Sequence, residues 1–222
     1  MDPAPSLTSP SPSLTLVRRP IRSRETRWAH AIGMGLARMG VRPNAISAAS
    51  VAASILAGVA LLVAQTADPA PAALLYMAAG LCIQLRLLCN LFDGLVAVEG
   101  GRSSRAGGMW NELPDRFSDG ICLVCAGMAT GAPTLGWLAA FLAALTAYVR
   151  TLGASIGASH SFAGPMAKQH RMAALTAGVV LAALETALGR PHRAIGWALI
   201  VIVVGSALTI VRRVRAIARD LR

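Results

Sequence analysis

The chain has 222 residues, of which 55% are hydrophobic and only 14% are charged. A soluble domain would carry about 25% charged residues, so this composition excludes an ordinary soluble domain and indicates an integral membrane protein. Basic residues outnumber acidic residues by 21 to 10, which gives a net charge of +11. Because aromatic residues make up only 5% of the chain, few side chains could stack on bases. Membrane topology and anionic lipid headgroups therefore explain the basic excess, and we predict no nucleic-acid partner.

The N-terminal region divides into two predicted segments. Residues 1–23 are rich in proline, serine and threonine and contain several arginines, which predicts a disordered, basic tail. Residues 24–42 place Trp28, Ile32 and Leu36 at helical spacing beside further arginines. This pattern predicts an amphipathic helix that lies on the membrane surface, or alternatively a cytosolic extension of the first span.

Residues 43–222 contain the apolar runs of a membrane domain. The six predicted spans are 44–65, 71–98, 112–131, 134–157, 171–188 and 194–213. Each approaches the ~20 residues that a helix needs to cross a bilayer. The predicted fold is therefore an all-α, polytopic membrane protein with six transmembrane helices after the N-terminal surface helix.

The distribution of arginine and lysine predicts the orientation. The N-terminal segment, two of the connections and the C-terminal tail are basic, whereas the opposite side carries only Arg190 and Arg193. Because basic loops stay in the cytoplasm, both termini should be cytoplasmic, in a multi-pass protein of the inner (cell) membrane.

The acidic residues are concentrated in one short window. Half of the ten lie there, namely Asp93, Glu99, Glu112, Asp115 and Asp119. A carboxylate at the centre of a membrane helix costs about 2.5–3.5 kcal/mol on insertion scales. Several carboxylates kept together suggest a shared cation, because a divalent ion offsets their repulsion and their desolvation.

Helical spacing places these side chains on two faces. Asn90 and Asp93 share a face near the cytoplasmic end of the second span, and Asp115 and Asp119 share a face near the start of the third. Glu112 continues that second face toward the cytosol. Two adjacent antiparallel helices would bring these oxygen atoms to similar depth, which predicts a site for Mg²⁺ or Mn²⁺, with two ions suiting phosphoryl transfer.

An alternative interpretation of the same window needs no metal. The acids could form a buried polar network in which Arg86 and Arg116 neutralise them.

The window also resembles a known signature. The stretch from Asn90-Leu-Phe-Asp93-Gly94-Leu-Val-Ala97 to Asp115-Arg-Phe-Ser-Asp119 resembles D-x2-D-G-x2-A-R-x8-G-x3-D-x3-D of the CDP-alcohol phosphatidyltransferase family. The segment Pro43-Asn44-Ala-Ile-Ser47 is similar to the one that opens the family's first span. Three signature positions differ, with Asn90 for the first aspartate, Val98 for the arginine and Asn111 for the second glycine. The spacing after Ala97 is also about four residues longer than in the signature.

The resemblance implies a reaction and roles for residues. An alcohol acceptor attacks the β-phosphorus of a CDP-linked donor such as CDP-diacylglycerol, CMP leaves, and a new phospholipid forms. Asp93 and Asp115 would bind metal, and Asp119 would bind metal or act as the catalytic base. Gly94 and Ala97 would leave room for the cytidine nucleotide. The family also implies a homodimer, which small-residue helix faces permit.

The departures from the signature suggest substitutes within this chain. Asn90 can still coordinate through its amide oxygen, and Glu112 could restore the missing negative charge. Arg102 or Arg105 could replace the missing donor-binding arginine.

Three further basic residues are candidates for an acceptor that carries phosphate. They are Arg150, Lys168 and Arg171, all predicted on the cytoplasmic side. Arg150 is predicted to lie deepest. Lys168 and Arg171 could equally serve as positive-inside anchors.

Two other functions remain open. The chain could be a non-catalytic or transport membrane protein that retains a metal-binding site. It could also be a prenyltransferase, although that class has two aspartate-rich motifs far apart and this chain has one compact window.

Overall fold

A computed structural model describes residues 26–99, 107–158 and 163–222. Within these ranges the chain forms seven α-helices and no strand. They are α1 (Arg27–Arg38), α2 (Pro43–Ala64), α3 (Pro69–Glu99), α4 (Gly107–Ala129), α5 (Pro133–Ser155), α6 (Lys168–Ala187) and α7 (Ala194–Asp220). The predicted tail, residues 1–23, lies outside the described residues.

The described helices confirm an all-α, polytopic membrane protein. Helices α2 to α7 correspond one by one to the six predicted spans. By length and composition, four helices of the described part of the chain are able to cross a membrane, namely α2, α3, α5 and α7. Helices α4 and α6 are less apolar because they carry the charged residues of the candidate site. The count of six spans therefore stays a prediction.

Helix α1 is shorter than predicted. It ends at Arg38 rather than near residue 42, because Gly40 adopts a φ of 77° and Pro43 opens the next helix. Helix α1 packs on α3, where Trp28 meets Phe92 edge to face with ring centroids 6.3 Å apart.

Small residues allow close helix packing. Helices α4 and α5 are joined by a tight turn in which Gly131 has a φ of 68°. Just beside it, a Cβ on Gly127 would lie 2.5 Å from the Cα of Gly136. Only glycine at position 127 permits this approach of the two backbones.

The packing order corrects one prediction. The two helices that carry the acidic residues, α3 and α4, were expected to be adjacent along their length. Instead α2 packs extensively against both, and α3 and α4 meet each other only over a short stretch. Helix α3 also packs on α6, and α7 closes the bundle against α5 and α6. The candidate site consequently draws side chains from α2 and α6 as well.

Candidate functional site

Three aspartates are buried at the end of the bundle where α3 ends and α4 begins. Asp93, Asp115 and Asp119 are 2%, 5% and 2% exposed. Asp93 belongs to the last turns of α3, and the other two follow Pro114 in the first half of α4. Asp115 and Asp119 share one face of α4, as their spacing indicates, and all three carboxylates lie inside the protein.

Asp119 is held between two arginines. Nη2 of Arg86 donates to Oδ1 of Asp119, and Nη2 of Arg171 donates to Oδ2 over 3.2 Å. Both guanidiniums are almost completely buried. Arg86 comes from α3 and Arg171 from α6, so Asp119 ties these helices to α4.

Asp115 faces three basic side chains. The ammonium of Lys168 donates to Oδ2 of Asp115, and Arg116 lies 4.0 Å from the same oxygen. Nη2 of Arg86 is 3.8 Å from Oδ1 of Asp115. That Oδ1 atom is buried and accepts no hydrogen bond from any described residue. It is thus an oxygen with spare coordinating capacity inside a charged cluster.

The third aspartate is tied to the first turn of α2. Oγ of Ser47 donates to Oδ2 of Asp93 over 2.8 Å. One turn earlier on α3, the Asn90 side chain is half-buried, and its Nδ2 has no hydrogen-bond partner among the described residues. We call Asp93, Asp115 and Asp119, together with Arg86, Lys168 and Arg171, the ion-pair cluster.

Helices α5 and α7 position one member of the cluster. Nη1 of Arg171 donates to Oγ1 of Thr146 (3.2 Å) and to the carbonyl of Met166 (3.1 Å). The guanidinium of Arg213 donates to the carbonyl of Thr146, and the backbone N–H of Met166 donates to Thr209. Arg171 is therefore fixed on one side by these contacts and donates from Nη2 to Asp119 on the other.

A second group of ion pairs lies nearer the surface. Nη2 of Arg150 donates to both carboxylate oxygens of Glu112 at 3.1 Å, and Arg116 approaches Glu112 to 3.2 Å. The Glu112 side chain is 40% exposed. Glu112 is thus engaged by arginines rather than turned toward Asp115 and Asp119, and Arg116 links the two groups.

The prediction that Arg150 lies deepest of the three basic candidates is wrong. The side chain of Arg150 is 27% exposed, whereas that of Arg171 is 2% exposed. The reason is the depth of each acidic partner, because Glu112 lies at the start of α4 and Asp119 two turns further in. Arg171 is buried against Asp119, which argues against a role as a simple positive-inside anchor.

Two predicted donor contacts cannot be placed, because Arg102 and Arg105 lie outside the described residues. Gly94 is buried beside Asp93, and Ala97 is half-buried one turn later.

Sequence reasoning missed Ser47 and Thr146 as members of the site. Ser47 falls within the Pro43–Ser47 segment that resembles the family. That resemblance could have identified Ser47 as a site residue. Thr146 could have been found only as a polar residue within an apolar span.

The structure contains the buried polar network of the alternative interpretation. Lys168 and Arg171 are additional members of this network. Among the described residues, no three acidic, histidine or cysteine side chains are arranged ready to share a metal ion. The chemistry of the donors nevertheless fits a divalent cation, because Oδ1 of Asp115 is buried without a hydrogen bond. Carboxylate and amide oxygens are the ligands that Mg²⁺ and Mn²⁺ prefer.

Comparisons with known proteins agree with this architecture. No family model matches the chain. The inner membrane protein YnbA of Escherichia coli K12 is 30% identical over 132 residues, which is 59% of this chain and 63% of that protein. The match thus spans somewhat less than two thirds of YnbA.

The phosphatidylinositol phosphate synthase PgsA1 of Mycobacterium tuberculosis, a CDP-alcohol phosphatidyltransferase, has a similar structure. With CDP-DAG bound, it superposes with a TM-score of 0.70 at 18% identity, over 86% of this chain and 94% of that one. In complex with manganese and citrate, the TM-score is 0.69 at the same identity, over 86% and 88%. The chain has the fold of this transferase.

Proposed function

We propose that the protein is an integral-membrane phosphatidyltransferase that transfers a phosphate-linked lipid group from a CDP-activated donor, such as CDP-diacylglycerol, to an alcohol. One observation carries the proposal. The aspartates at three signature positions, 93, 115 and 119, converge as buried side chains at one end of the bundle. The PgsA1-like fold supports the same conclusion.

The proposed reaction breaks one phosphoanhydride bond. The hydroxyl oxygen of the acceptor bonds to the β-phosphorus of the donor, and the bond from that phosphorus to the bridging oxygen breaks. CMP departs with the bridging oxygen, and the hydroxyl proton passes to a carboxylate. Asp119 is the candidate for this base, because a carboxylate offers about four acceptor positions and the two arginines engage one on each oxygen.

The chain's own cations would bind the phosphates. Nε and Nη1 of Arg86 are buried and have no hydrogen-bond partner among the described residues. Such unsatisfied donors are costly unless a ligand or water accepts from them. They are therefore suited to an oxygen of the diphosphate. Lys168 and Arg150, whose side chains are partly exposed, are placed to meet a phosphate on the acceptor.

A divalent cation, Mg²⁺ or Mn²⁺, would be held by Asp93 and Asp115 with the amide oxygen of Asn90. When bound, it would stabilise negative charge on the diphosphate and on the departing CMP. Glu112 would join it only by releasing Arg150 and Arg116. Gly94 and Ala97 would border the nucleotide.

The proposal includes a membrane arrangement. We infer six transmembrane helices, α2 to α7, with α1 on the inner surface and both termini in the cytoplasm. The candidate site then opens to the cytoplasmic side of an inner membrane, where water-soluble acceptors are found. Small-residue helix faces would permit a homodimer.

Lipid product formation tests the function. The purified chain in lipid nanodiscs receives radiolabelled CDP-diacylglycerol, Mg²⁺ or Mn²⁺, and a panel of alcohols and alcohol phosphates, and lipids are separated by chromatography. We expect one acceptor class to give a new labelled lipid, and Asp93→Asn to abolish it. If no acceptor gives product while the protein remains folded, the proposal fails.

A second candidate is a non-catalytic or transport membrane protein that retains an inactive site. The observation that favours it is the occupation of all three aspartates by partners from the chain itself, namely two arginines, a lysine and a serine. Absence of both CMP release and nucleotide binding would favour this candidate over the transferase.

A further inference from the structure

Arg86 occupies a particular place in the cluster. It lies on α3 one helical turn before Asn90, at i and i+4, so the two side chains share a face. Its side chain is fully buried and reaches across to α4, where it contacts Asp119 and the carbonyl of Asp115 (3.3 Å). This chain thus has a fixed cation beside the position where the resembling signature has an additional carboxylate.

Each oxygen of Asp119 accepts a hydrogen bond from a buried arginine. Arg86 takes one oxygen and Arg171 takes the other, and each guanidinium also donates to a backbone carbonyl. Removing a buried arginine from its carboxylate leaves both charges uncompensated in a low-dielectric environment. An incoming metal ion would have to displace one of them to coordinate Asp119.

Asp115 differs because its partner is displaceable. Lys168 is a flexible side chain that is 23% exposed, so its ammonium can move to solvent or to a phosphate. The other oxygen of Asp115 is already without a hydrogen bond. Asp93 accepts from a neutral serine, which adds no charge to be displaced.

Charge counting limits the number of metal ions. The three aspartates with Arg86 and Arg171 carry one net negative charge when Lys168 has left. In the protein without donor, one divalent ion turns this into one net positive charge. Two divalent ions would leave three net positive charges buried among apolar helices, at a large desolvation cost.

We propose that this site takes one divalent cation rather than two, held by Asp93 and Asp115, and that Arg86 is the permanent counter-cation of Asp119. This inference rests on the metal binding of the proposed function and deepens it. Arg86 is a positioning residue here, because it acts through Asp119.

Metal stoichiometry tests the inference without an activity assay. The full chain in phosphatidylcholine nanodiscs is titrated with Mn²⁺, and free Mn²⁺ is measured by its electron paramagnetic resonance signal, with empty nanodiscs as the blank. The wild type should bind one ion per chain. Asn90→Asp should bind Mn²⁺ several-fold more tightly but still at one ion per chain, because Arg86 continues to occupy Asp119.

A matched pair of double variants isolates Arg86. Arg86→Gln with Asn90→Asp should bind two ions per chain, whereas Arg86→Lys with Asn90→Asp should bind one, because it keeps the charge. Two ions on the wild type or on Asn90→Asp, no ion on the wild type, or one ion on both double variants would overturn the inference. If the glutamine variant does not fold, the wild type and Asn90→Asp still decide.

The outcome is separable from that of the proposed function. One bound ion without CMP release would reject the transferase and retain the one-ion site. CMP release with two bound ions would do the reverse.

Discussion

Replacement of Asp119 by asparagine is predicted to destabilise the protein strongly. The substitution preserves shape but removes the carboxylate charge that compensates Arg86 and Arg171, which are 0% and 2% exposed. Breaking a buried ion pair by removing one partner costs about 3–5 kcal/mol. Asp115 lies 3.8 Å from Arg86 and compensates part of the loss, so we expect a decrease in the free energy of unfolding of about 3 kcal/mol.

The assay is unfolding by SDS in mixed micelles, followed by circular dichroism. Glu112→Gln is the matched control, because it also removes one carboxylate from α4 but at a side chain that is 40% exposed. Exposed ion pairs contribute about 0–1 kcal/mol, so this control should change little. Asp119→Asn with Arg171→Met should be more stable than Asp119→Asn alone, since one unpaired charge is removed. Equal unfolding free energies of Asp119→Asn and Glu112→Gln would show that the Asp119 carboxylate does not stabilise the protein by compensating Arg86 and Arg171.

Four further substitutions are predicted to have distinct effects. Gly127→Ala places a Cβ 2.5 Å from the backbone of α5 and should lower the unfolding free energy by about 1–3 kcal/mol or more. Gly196→Ala, with no atom within 4 Å of the new Cβ, should leave it unchanged or raise it by up to about 1 kcal/mol in the same SDS titration. Ser47→Ala removes a hydrogen bond to the charged Asp93, so it should lower the unfolding free energy by about 1.5–3 kcal/mol in the same titration. It should also lower the rate of CMP release. An unchanged unfolding free energy together with an unchanged rate would contradict a role for this contact. Arg150→Ala breaks only a half-exposed ion pair, so the unfolding free energy should change by about 1 kcal/mol or less. It should raise the KM for a phosphorylated acceptor, because Arg150 is proposed to bind that phosphate. Unfolding without a change in KM would count against Arg150 as an acceptor-binding residue.

The helices could be predicted closely from the sequence because apolar runs are bounded by proline and glycine. Pro43 and Pro133 begin α2 and α5 within one residue of the prediction. The start of α4 was placed too late, at 112 rather than Gly107. The structure extends the helix through the uncharged residues 107–111 and accommodates Pro114 within it.

The composition of the site was only partly predictable. Helical periodicity correctly turned Asp115 and Asp119 to one buried face, since spacing within one helix fixes relative direction. The partners of these carboxylates depend on packing between helices distant in sequence. Because α2 lies against both α3 and α4, and α6 packs on α3, Lys168 and Arg171 reach the cluster from another segment. No local pattern encodes that choice among many basic residues.

CMP release is the most direct test of the central claim that the ion-pair cluster performs phosphatidyl transfer. The purified chain in nanodiscs is supplied with CDP-diacylglycerol and a mixture of alcohols and alcohol phosphates, and CMP is quantified by chromatography. We expect release that depends on Mg²⁺ or Mn²⁺, stops on addition of EDTA and is lost in Asp93→Asn. Release at the same rate from Asp93→Asn, or no release from the folded wild type with any acceptor, would contradict it.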